Sequence, residues 1–173
     1  MGDLLKGRRG LVMGVANDHS IAWGIARAVA AEGAELAFSY QGEAFGKRVQ
    51  PLAASVGSDL LLDVDVTDDA SLDAAFATLG DRWGKLDFVI HAIAFSNRNE
   101  LTGRFLNTSR ANFKHSLDIS CYSLIEIARR AHPLMAEGGS LITLTYGGSN
   151  RVTPFYNVMG VAKAALESSV RYL

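Results

Sequence analysis

Short apolar runs alternate with longer segments of helical character along the whole sequence, and this alternation restricts the possible folds more than any other feature. The apolar runs predict strands at 10–15, 36–40, 60–66, 86–92 and 140–145. The intervening segments predict helices at 21–32, 43–56, 68–83 and 108–135, and a last helix from 154 to 173. Strands that are apolar throughout and separated by helices are typical of a parallel sheet covered on both faces. The sequence therefore predicts an α/β fold with a Rossmann-like doubly wound parallel sheet, of which five strands are visible.

Turn and capping residues mark several ends of these helices. Gly33 and Gly57 follow the first two helices, where a glycine in a left-handed conformation commonly ends a helix. Either Thr67 or Asp68 can cap the third helix. Pro154 suits the first turn of the last helix, which meets no stop signal before the final residue.

Composition and charge narrow the class of protein. Hydrophobic residues make up 49% of the chain and charged residues 20%, and the net charge is -1. Nothing in these values indicates a basic surface for nucleic acid or a polybasic patch for a membrane. The single cysteine, Cys121, cannot form an internal disulfide, which suits a reducing compartment. No apolar run approaches the roughly 18 residues needed to span a bilayer. We therefore expect one cytoplasmic domain over residues 1–173 that binds neither nucleic acid nor a membrane.

The turn after the first strand has the features of a phosphate-binding loop. Gly14 allows a tight exit from the strand, and Ser20 can cap the next helix and offer its hydroxyl to a phosphate. Ala22 and Gly24 keep the helix small where it crosses the strand. The middle glycine of G-x-G-x-x-G is missing, so a plain strand–helix turn with Ser20 as its cap is an equally good interpretation. His19 is expected to face solvent.

Residues after the second and third strands indicate which dinucleotide is bound. Gln41 stands where this fold places the adenine ribose, and it can bond a ribose hydroxyl without attracting a 2′-phosphate. NADH is therefore favoured over NADPH, although Lys47 and Arg48 on the following helix weaken that preference slightly. Asp65 can hold the adenine amino group while Val66 packs against the ring. Alternatively, Asp65 only precedes a helix-capping turn.

The fourth strand ends in His91, followed by small residues at 92 and 94. These small residues would let a cofactor approach the backbone closely. His91 itself is best interpreted as a buried histidine whose polar atoms are satisfied by neighbours, because no acidic partner lies nearby in the sequence.

Tyr156 and Lys163 form the most specific pair in the sequence. If both lie on the last helix, seven residues place them on one face, roughly 10 Å apart along the axis. A lysine there can bond the nicotinamide ribose, and its charge would lower the pKa of the phenol. The alternative is an amphipathic helix with a core tyrosine and a solvated lysine. Tyr146 closes the fifth strand and is expected to point into the same crevice, unless it packs at the rim of the sheet.

Four short motifs carry a resemblance to a known family. They are the loop from Gly14 to Ser20-Ile21-Ala22, the Tyr40-Gln41 pair, the His91-Ala92-Ile93-Ala94 run, and Tyr156 with six residues before Lys163. With these motifs the whole chain resembles the bacterial enoyl-acyl-carrier-protein reductases, a divergent branch of the short-chain dehydrogenase/reductase superfamily. Most members of that superfamily have three residues between the tyrosine and the lysine and a catalytic serine on the fifth strand. This chain has neither feature, which disfavours an ordinary ketone reductase.

The resemblance implies an activity and roles for individual residues. NADH would reduce the carbon–carbon double bond of a trans-2-enoyl thioester carried on acyl carrier protein, in fatty-acid elongation. Tyr156 would bond the thioester carbonyl and stabilise the enolate, Lys163 would hold the nicotinamide ribose, and Tyr146 and Ser96 would contact substrate. Positions that match NADH contacts in the family are Gly14, Ser20, Ile21, Gln41, Asp65, Val66, Ile93 and Lys163.

The resemblance also raises expectations about what this chain lacks. Family members continue beyond the last helix with two further strands and a flexible substrate-binding segment, and they are usually homotetramers. We therefore expect a C-terminally truncated chain that is inactive alone. The glycine-rich segment 145–150 is expected to be loose. Two alternatives stay open: a short-chain dehydrogenase that acts on a carbonyl, and a non-catalytic module that senses NAD(H).

Overall fold

The computed structural model describes residues 2–173 and contains, within that range, one parallel sheet of five strands. The strands are β1 (Arg9–Met13), β2 (Glu35–Tyr40), β3 (Leu60–Asp63), β4 (Phe88–His91) and β5 (Ser140–Thr143), in the spatial order β3-β2-β1-β4-β5. Every neighbouring pair is parallel. The chain builds outward from β1 to β3 and then crosses back to β4, which confirms the predicted Rossmann-like sheet.

Six α-helices connect and follow these strands in the described residues. They are α1 (Ile21–Ala31), α2 (Gly42–Ser55), α3 (Asp69–Trp83), α4 (Arg110–Leu117), α5 (Ser123–Ala131) and α6 (Val158–Tyr172). A π-helical turn at Asp118–Tyr122 separates α4 from α5. Short 3-10 turns occur at Arg98–Glu100, Phe105–Asn107, His132–Met135 and Gly147–Ser149.

The chain divides into two compact units. The first contains the residues up to Ala92 together with Arg129–Thr143, and therefore holds the sheet and α1 to α3. The second contains Ile93–Ala128 and Leu144–Leu173, which include α4, the π-helical turn and α6. The expectation of a single domain over residues 1–173 stays a prediction.

One hydrophobic core cluster of the first unit lies where α1 and α2 cover the sheet. Val12 and Phe38 from β1 and β2 are fully buried against small residues of the helices, such as Ala26 and Ala53. The Trp23 ring of α1 lies 6.3 Å from the Phe38 ring, measured between centroids. Small helix residues let the backbone approach the strands closely, while the aromatic side chains fill the remaining space.

Several helix ends agree with the turn chemistry of the sequence. Gly33 has φ 90 and Gly57 has φ 75, as expected for glycines that end α1 and α2. After α1, the N–H of Gly33 bonds the carbonyl of Ala30, so a carbonyl of the last turn is satisfied. Asp68 caps α3, because its side chain accepts the N–H of Ala70. These three predictions are confirmed.

Other boundaries were predicted wrongly. The third strand ends at Asp63 instead of residue 66, because Asp65 turns the chain by accepting the N–H of Thr67. The long helix predicted at 108–135 is interrupted by the π-helical turn, and α5 ends at Ala131. Pro133 lacks an N–H and restricts the residue before it, which accounts for that end.

The described residues contain no helix long and apolar enough to cross a membrane. Nor does any group of three histidine, cysteine or acidic side chains converge in residues 2–173 as a metal site would require.

Asp87 ties the start of β1 to the start of β4. Its carboxylate accepts hydrogen bonds from Arg8 Nη1 at 2.7 Å and from the backbone N–H of Arg9 at 2.8 Å. Burial opposes ionisation of Asp87, but these bonds and the charge of Lys85 outweigh it, so the pKa lies below its ordinary value of 3.8. The carboxylate therefore stabilises the fold.

We predict that Asp87→Asn lowers the free energy of unfolding by about 1–3 kcal/mol near neutral pH. Because the folded-state pKa is depressed, this stabilisation is fully present above the unfolded pKa and is lost as the pH falls through the folded pKa. Urea denaturation across this pH range measures the effect. Asp59→Asn, which removes an exposed pair with Arg82, is the control and should change stability by less than about 1 kcal/mol. Equal effects of the two substitutions would contradict the prediction.

Candidate functional site

The carboxyl ends of β1 and β4 meet where the strand order reverses, which is the usual ligand position in this type of sheet. Gly14 lies at this point, directly after β1, with φ 96. A Cβ added at Gly14 would lie 2.0 Å from the carbonyl oxygen of Ala92. Both the positive φ and the close backbone approach therefore require glycine, as the sequence predicted for a tight exit from the strand.

Ser20 stands at the N-cap position of α1 but does not cap the helix with its side chain. Its Oγ instead accepts the backbone N–H groups of Ala16 at 3.0 Å and Asn17 at 3.1 Å. The prediction that the Ser20 hydroxyl caps α1 is therefore wrong, because the Ser20 oxygen already accepts two N–H groups of the preceding loop. The start of α1 consequently has no side-chain acceptor, and a helix N-terminus in that condition suits an anion.

Other residues of this loop match the predictions in part. His19 is exposed, and its Nδ1 lies 2.7 Å from the Asp18 carboxylate, so the prediction that it faces solvent is confirmed. Ala22 is buried in the core, as expected for close packing of the helix on the sheet. Gly24 does not share this role, because a Cβ there would meet no atom within 4 Å. Ile21 begins α1 and is exposed.

The structure brings together the two polar residues predicted to bind adenosine. Gln41 Nε2 donates to Asp65 Oδ2 at 3.0 Å. The other carboxylate oxygen of Asp65 accepts the N–H and hydroxyl of Thr67 at 2.8 Å and 2.7 Å. Asp65 therefore has a role in the turn before α3, the alternative left open by the sequence. Val66, the next residue, is partly buried.

His91 is fully buried at the end of β4. Its Nδ1 lies 2.8 Å from Thr143 Oγ1 on β5. The interpretation of His91 as a buried histidine satisfied by its neighbours is confirmed.

In the second unit, Tyr146 and Tyr156 form an aromatic pair. Their ring centroids lie 4.9 Å apart with an interplanar angle of 59°. Tyr156 lies in the turn before α6, which begins only at Val158, so the predicted helical face shared with Lys163 is wrong. The backbone excludes a helix at this point, because Phe155 has φ 60 and Asn157 has φ 35, and neither value is compatible with a right-handed helix.

Lys163 is buried on α6, and its ammonium donates to the carbonyl oxygen of Leu144 at 2.7 Å. Burial lowers the pKa of Lys163. The pKa of the Tyr156 phenol is raised, first by burial and then by the neighbouring Tyr146. This direction is opposite to the lowering by Lys163 that the sequence suggested. The phenol of Tyr156 is therefore a protonated hydrogen-bond donor at neutral pH.

Two glycines make room for the tyrosine pair. A Cβ on Gly148 would lie 2.5 Å from Cδ1 of Tyr156, and a Cβ on Gly160 would lie 2.7 Å from the carbonyl oxygen of Gly148. The Tyr156 ring therefore occupies the position that a side chain at 148 would need. Glycine at 160 lets the backbone of 148 lie directly against α6.

The segment 145–150 is tethered, contrary to the expectation that its glycines loosen it. Glu167 on α6 accepts a hydrogen bond from Thr145 Oγ1 at 2.5 Å. Hydrogen bonds from the side chains of Ser149 and Thr145 lower the pKa of Glu167. The two bonded residues flank Tyr146, so Glu167 holds both sides of the segment that carries this tyrosine.

Ser96 belongs to a polar network that the sequence analysis missed. Its Oγ accepts hydrogen bonds from Ser116 Oγ at 2.9 Å and Asn112 Nδ2 at 3.2 Å. Ser120 Oγ, in turn, accepts the backbone N–H of Phe95 at 3.0 Å. Polar residues at 112, 116 and 120 repeat every four positions, a stripe on one helical face that was a readable signal for this network. Ile93, which follows β4, is partly buried.

The parallel sheet, whose strand order reverses between β1 and β4, and the glycine turn at that point define a Rossmann-like α/β protein. A family model described as enoyl-(acyl carrier protein) reductase matches residues 14–173, and this chain belongs to that family. It is 65% identical over 173 residues to enoyl-acyl-carrier-protein reductase (NADH) 2 of Rhizobium meliloti (strain 1021). That alignment covers 100% of this chain and 65% of the relative, so the chain spans about two thirds of the relative's length.

Solved structures agree with this assignment. FabI from Candidatus Liberibacter asiaticus matches with a TM-score of 0.98 and 58% identity, over 99% of this chain and 67% of that one. The enoyl-acyl-carrier-protein reductase of Anaplasma phagocytophilum, crystallised in complex with NAD, matches with a TM-score of 0.97 and 56% identity. The match covers 99% of this chain and 66% of that structure.

Proposed function

We propose that this chain supplies the cofactor-binding and catalytic residues of an NADH-dependent enoyl-acyl-carrier-protein reductase. The reaction is the reduction of the carbon–carbon double bond of a trans-2-enoyl thioester in fatty-acid elongation. The observation that carries the proposal is the packed pair of Tyr146 and Tyr156, in the same unit as the buried Lys163. This pair replaces the serine and closely spaced tyrosine–lysine of ordinary carbonyl reductases, which disfavours that alternative.

The first unit fits the nucleotide part of NADH. Gly14 carries no side chain where the backbone must approach closely, and the start of α1 at Ser20 and Ile21 has no side-chain acceptor, which suits a pyrophosphate. Gln41 would bond the adenine ribose and brings no positive charge for a 2′-phosphate, which supports NADH over NADPH. Asp65 would hold the adenine amino group. The remaining proposed contacts are Val66 and Ile93.

The second unit carries the groups proposed for chemistry. When bound, NADH supplies the hydride that is added to the β-carbon. Tyr156 donates a hydrogen bond to the thioester carbonyl and stabilises the enolate charge that develops there, and a proton taken up from solvent then completes the reduction at the α-carbon. Lys163 uses one of its three N–H donors on Leu144, and the other two would bond the nicotinamide ribose. Tyr146 and Ser96 would line the substrate site.

The test is the loss of NADH absorbance with a crotonyl thioester, in a chain extended to the length of the relatives. Tyr156→Phe removes the hydrogen-bond donor and is expected to lower kcat by roughly 100-fold. Tyr172→Phe, an exposed tyrosine near the end of α6, is the matched control and should leave kcat unchanged. Turnover of ketones alone would indicate a carbonyl reductase instead. Binding of NAD(H) without any turnover would indicate a sensing module.

We further propose that the protein works in the cytoplasm as a homotetramer of chains with one dinucleotide-binding domain each. Its macromolecular partner would be acyl carrier protein, which carries the enoyl thioester, with no role for nucleic acid or membrane. The near-neutral net charge supports the last point. Sedimentation of the purified protein tests the oligomeric state.

A further inference from the structure

The turn that carries Tyr156 is held in an unfavourable backbone conformation. Phe155 has φ 60, and Asn157 has φ 35 with ψ -118. A non-glycine residue in such a region is strained, so the conformation persists only where other contacts enforce it. The favourable alternative is the helix that the sequence predicts from Pro154, in which Tyr156 would rotate with the first turn of α6.

The side chain of Asn157 makes the contact that can enforce this turn. Asn157 occupies the N-cap position of α6, where an asparagine typically accepts a helix N–H, but it makes no such bond. Its Nδ2 instead donates to the carbonyl oxygen of Glu100 at 3.1 Å. The carbonyls of Thr102 and Gly103 lie 3.5 Å and 3.4 Å from the same nitrogen. The amide therefore links the turn to the segment 100–103.

The segment 100–103 is itself anchored. The Glu100 carboxylate accepts the backbone N–H of Ser109 at 2.8 Å and the Ser109 hydroxyl at 2.9 Å. These bonds lower the pKa of Glu100, which keeps it ionised. Ser109 also caps α4 by accepting the N–H of Asn112 at 3.1 Å. Asn157 thus bonds a part of the chain that is fixed to a helix, and it can hold the turn against relaxation.

We infer that Asn157 is a positioning residue, whose amide holds Tyr156 out of the α6 helix and directs its phenol toward the thioester carbonyl. This inference rests on the proposed function for its effect on catalysis. The contact with Glu100, in contrast, is a property of the fold and is testable without turnover.

The substitution Asn157→Gly separates the effect of the backbone strain at 157 from the effect of the side-chain hydrogen bond. Glycine adopts positive φ without steric strain, which offsets part of the lost hydrogen bond and of the added chain entropy, so the variant should still fold and melt close to the parent protein. Its kcat with a crotonyl thioester is expected to fall by about tenfold to 100-fold, because the phenol is no longer held within about 1 Å of its position. The KM for NADH should stay within about twofold. Asn107→Gly, at an exposed asparagine, is the control and should retain full kcat.

A double variant distinguishes positioning of the Tyr156 phenol from a general structural role of Asn157. In a Tyr156→Phe background, Asn157→Gly should cause little additional loss of kcat, because both act through the same hydroxyl. Independent, additive losses, or an unchanged kcat in the single variant, would overturn the inference.

The structure of Asn157→Ala provides a readout that does not depend on activity. Alanine avoids positive φ and cannot bond Glu100, so α6 should begin before Tyr156 in this variant. An unchanged turn would overturn the inference. If the parent chain, extended to the length of its relatives, shows no enoyl reduction at all, the proposed function fails. The structure of Asn157→Ala would still decide whether the Asn157 side chain holds the turn.

Discussion

In a chain extended to the length of its relatives, a Lys163→Met variant is expected to lose the proposed enoyl reduction by about a thousandfold and yet to unfold at a higher temperature than the parent protein. Lys163 is only 6% exposed, and its burial disfavours the charged form. Methionine has a similar length and no charge, so it fills the same space without the cost of burying an ammonium group. The catalytic loss follows from the proposed role of Lys163, because its hydrogen bond to the nicotinamide ribose and its positive charge would both disappear.

The pH dependence of stability gives this prediction a second readout. The folded-state pKa of Lys163 lies below its ordinary value of 10.5, so the unfolded chain binds the proton more tightly. Stability of the parent protein therefore rises as the pH rises from the folded pKa toward 10.5, and the variant lacks this rise. The stability gap between the two proteins should narrow as the solution becomes alkaline.

Thermal unfolding near neutral pH and at about pH 9, together with turnover of a crotonyl thioester, measures both effects. Lys114→Met is the matched control, because Lys114 is exposed on α4. The Lys114→Met substitution should change neither the turnover rate nor the rise of the melting temperature between neutral pH and about pH 9. A lower melting temperature for Lys163→Met would show that the bond to Leu144 outweighs the cost of burial. Retained turnover would remove Lys163 from the proposed site.

In a chain extended to the length of its relatives, Gly148→Ala is expected to lower kcat by about 100-fold. The new Cβ would lie 2.5 Å from Cδ1 and 2.9 Å from Cε1 of Tyr156, well inside van der Waals contact. The backbone at 148 cannot withdraw, because its carbonyl already lies against Gly160. The Tyr156 ring must therefore move by a distance of about 1 Å, and its phenol moves with it.

Gly147→Ala is the matched control for this substitution. Neither glycine has a positive φ, so alanine costs no backbone strain at either position. The nearest atom to a Cβ at 147 is Nη2 of Arg151, at 3.3 Å, at the flexible end of an exposed side chain. Steady-state kinetics should show full kcat for Gly147→Ala and a large loss for Gly148→Ala. Equal kcat values in the two variants would contradict the assigned position of the Tyr156 ring.

Local sequence chemistry was sufficient for the architecture of the first unit. Apolar strands separated by helices predicted the parallel sheet, because each pattern reports the burial of its own segment. Gly33, Gly57 and Asp68 marked helix ends correctly, since a positive φ or a side-chain cap depends on a few neighbouring residues. Gly14 was identified for a related reason: few residues other than glycine allow so tight a turn.

Around the proposed catalytic residues, sequence reasoning identified Tyr146, Tyr156 and Lys163 but not their arrangement. The spacing of Tyr156 and Lys163 was interpreted on an ideal helix, which the structure does not form at that point. The polar stripe on α4 and the π-helical turn was equally missed as a network, although its four-residue spacing was visible.

By itself, the sequence determined the number and order of the strands along the chain, the glycines after α1 and α2 and the cap of α3, because these depend on contacts within a few residues. Only the tertiary structure decided where α6 begins, since Asn157 bonds Glu100, 57 positions away. It also decided that Lys163 bonds Leu144, 19 positions away, before any ligand is considered. A short window of sequence contains no record of such distant partners, and these partners set the geometry of the Tyr156 phenol.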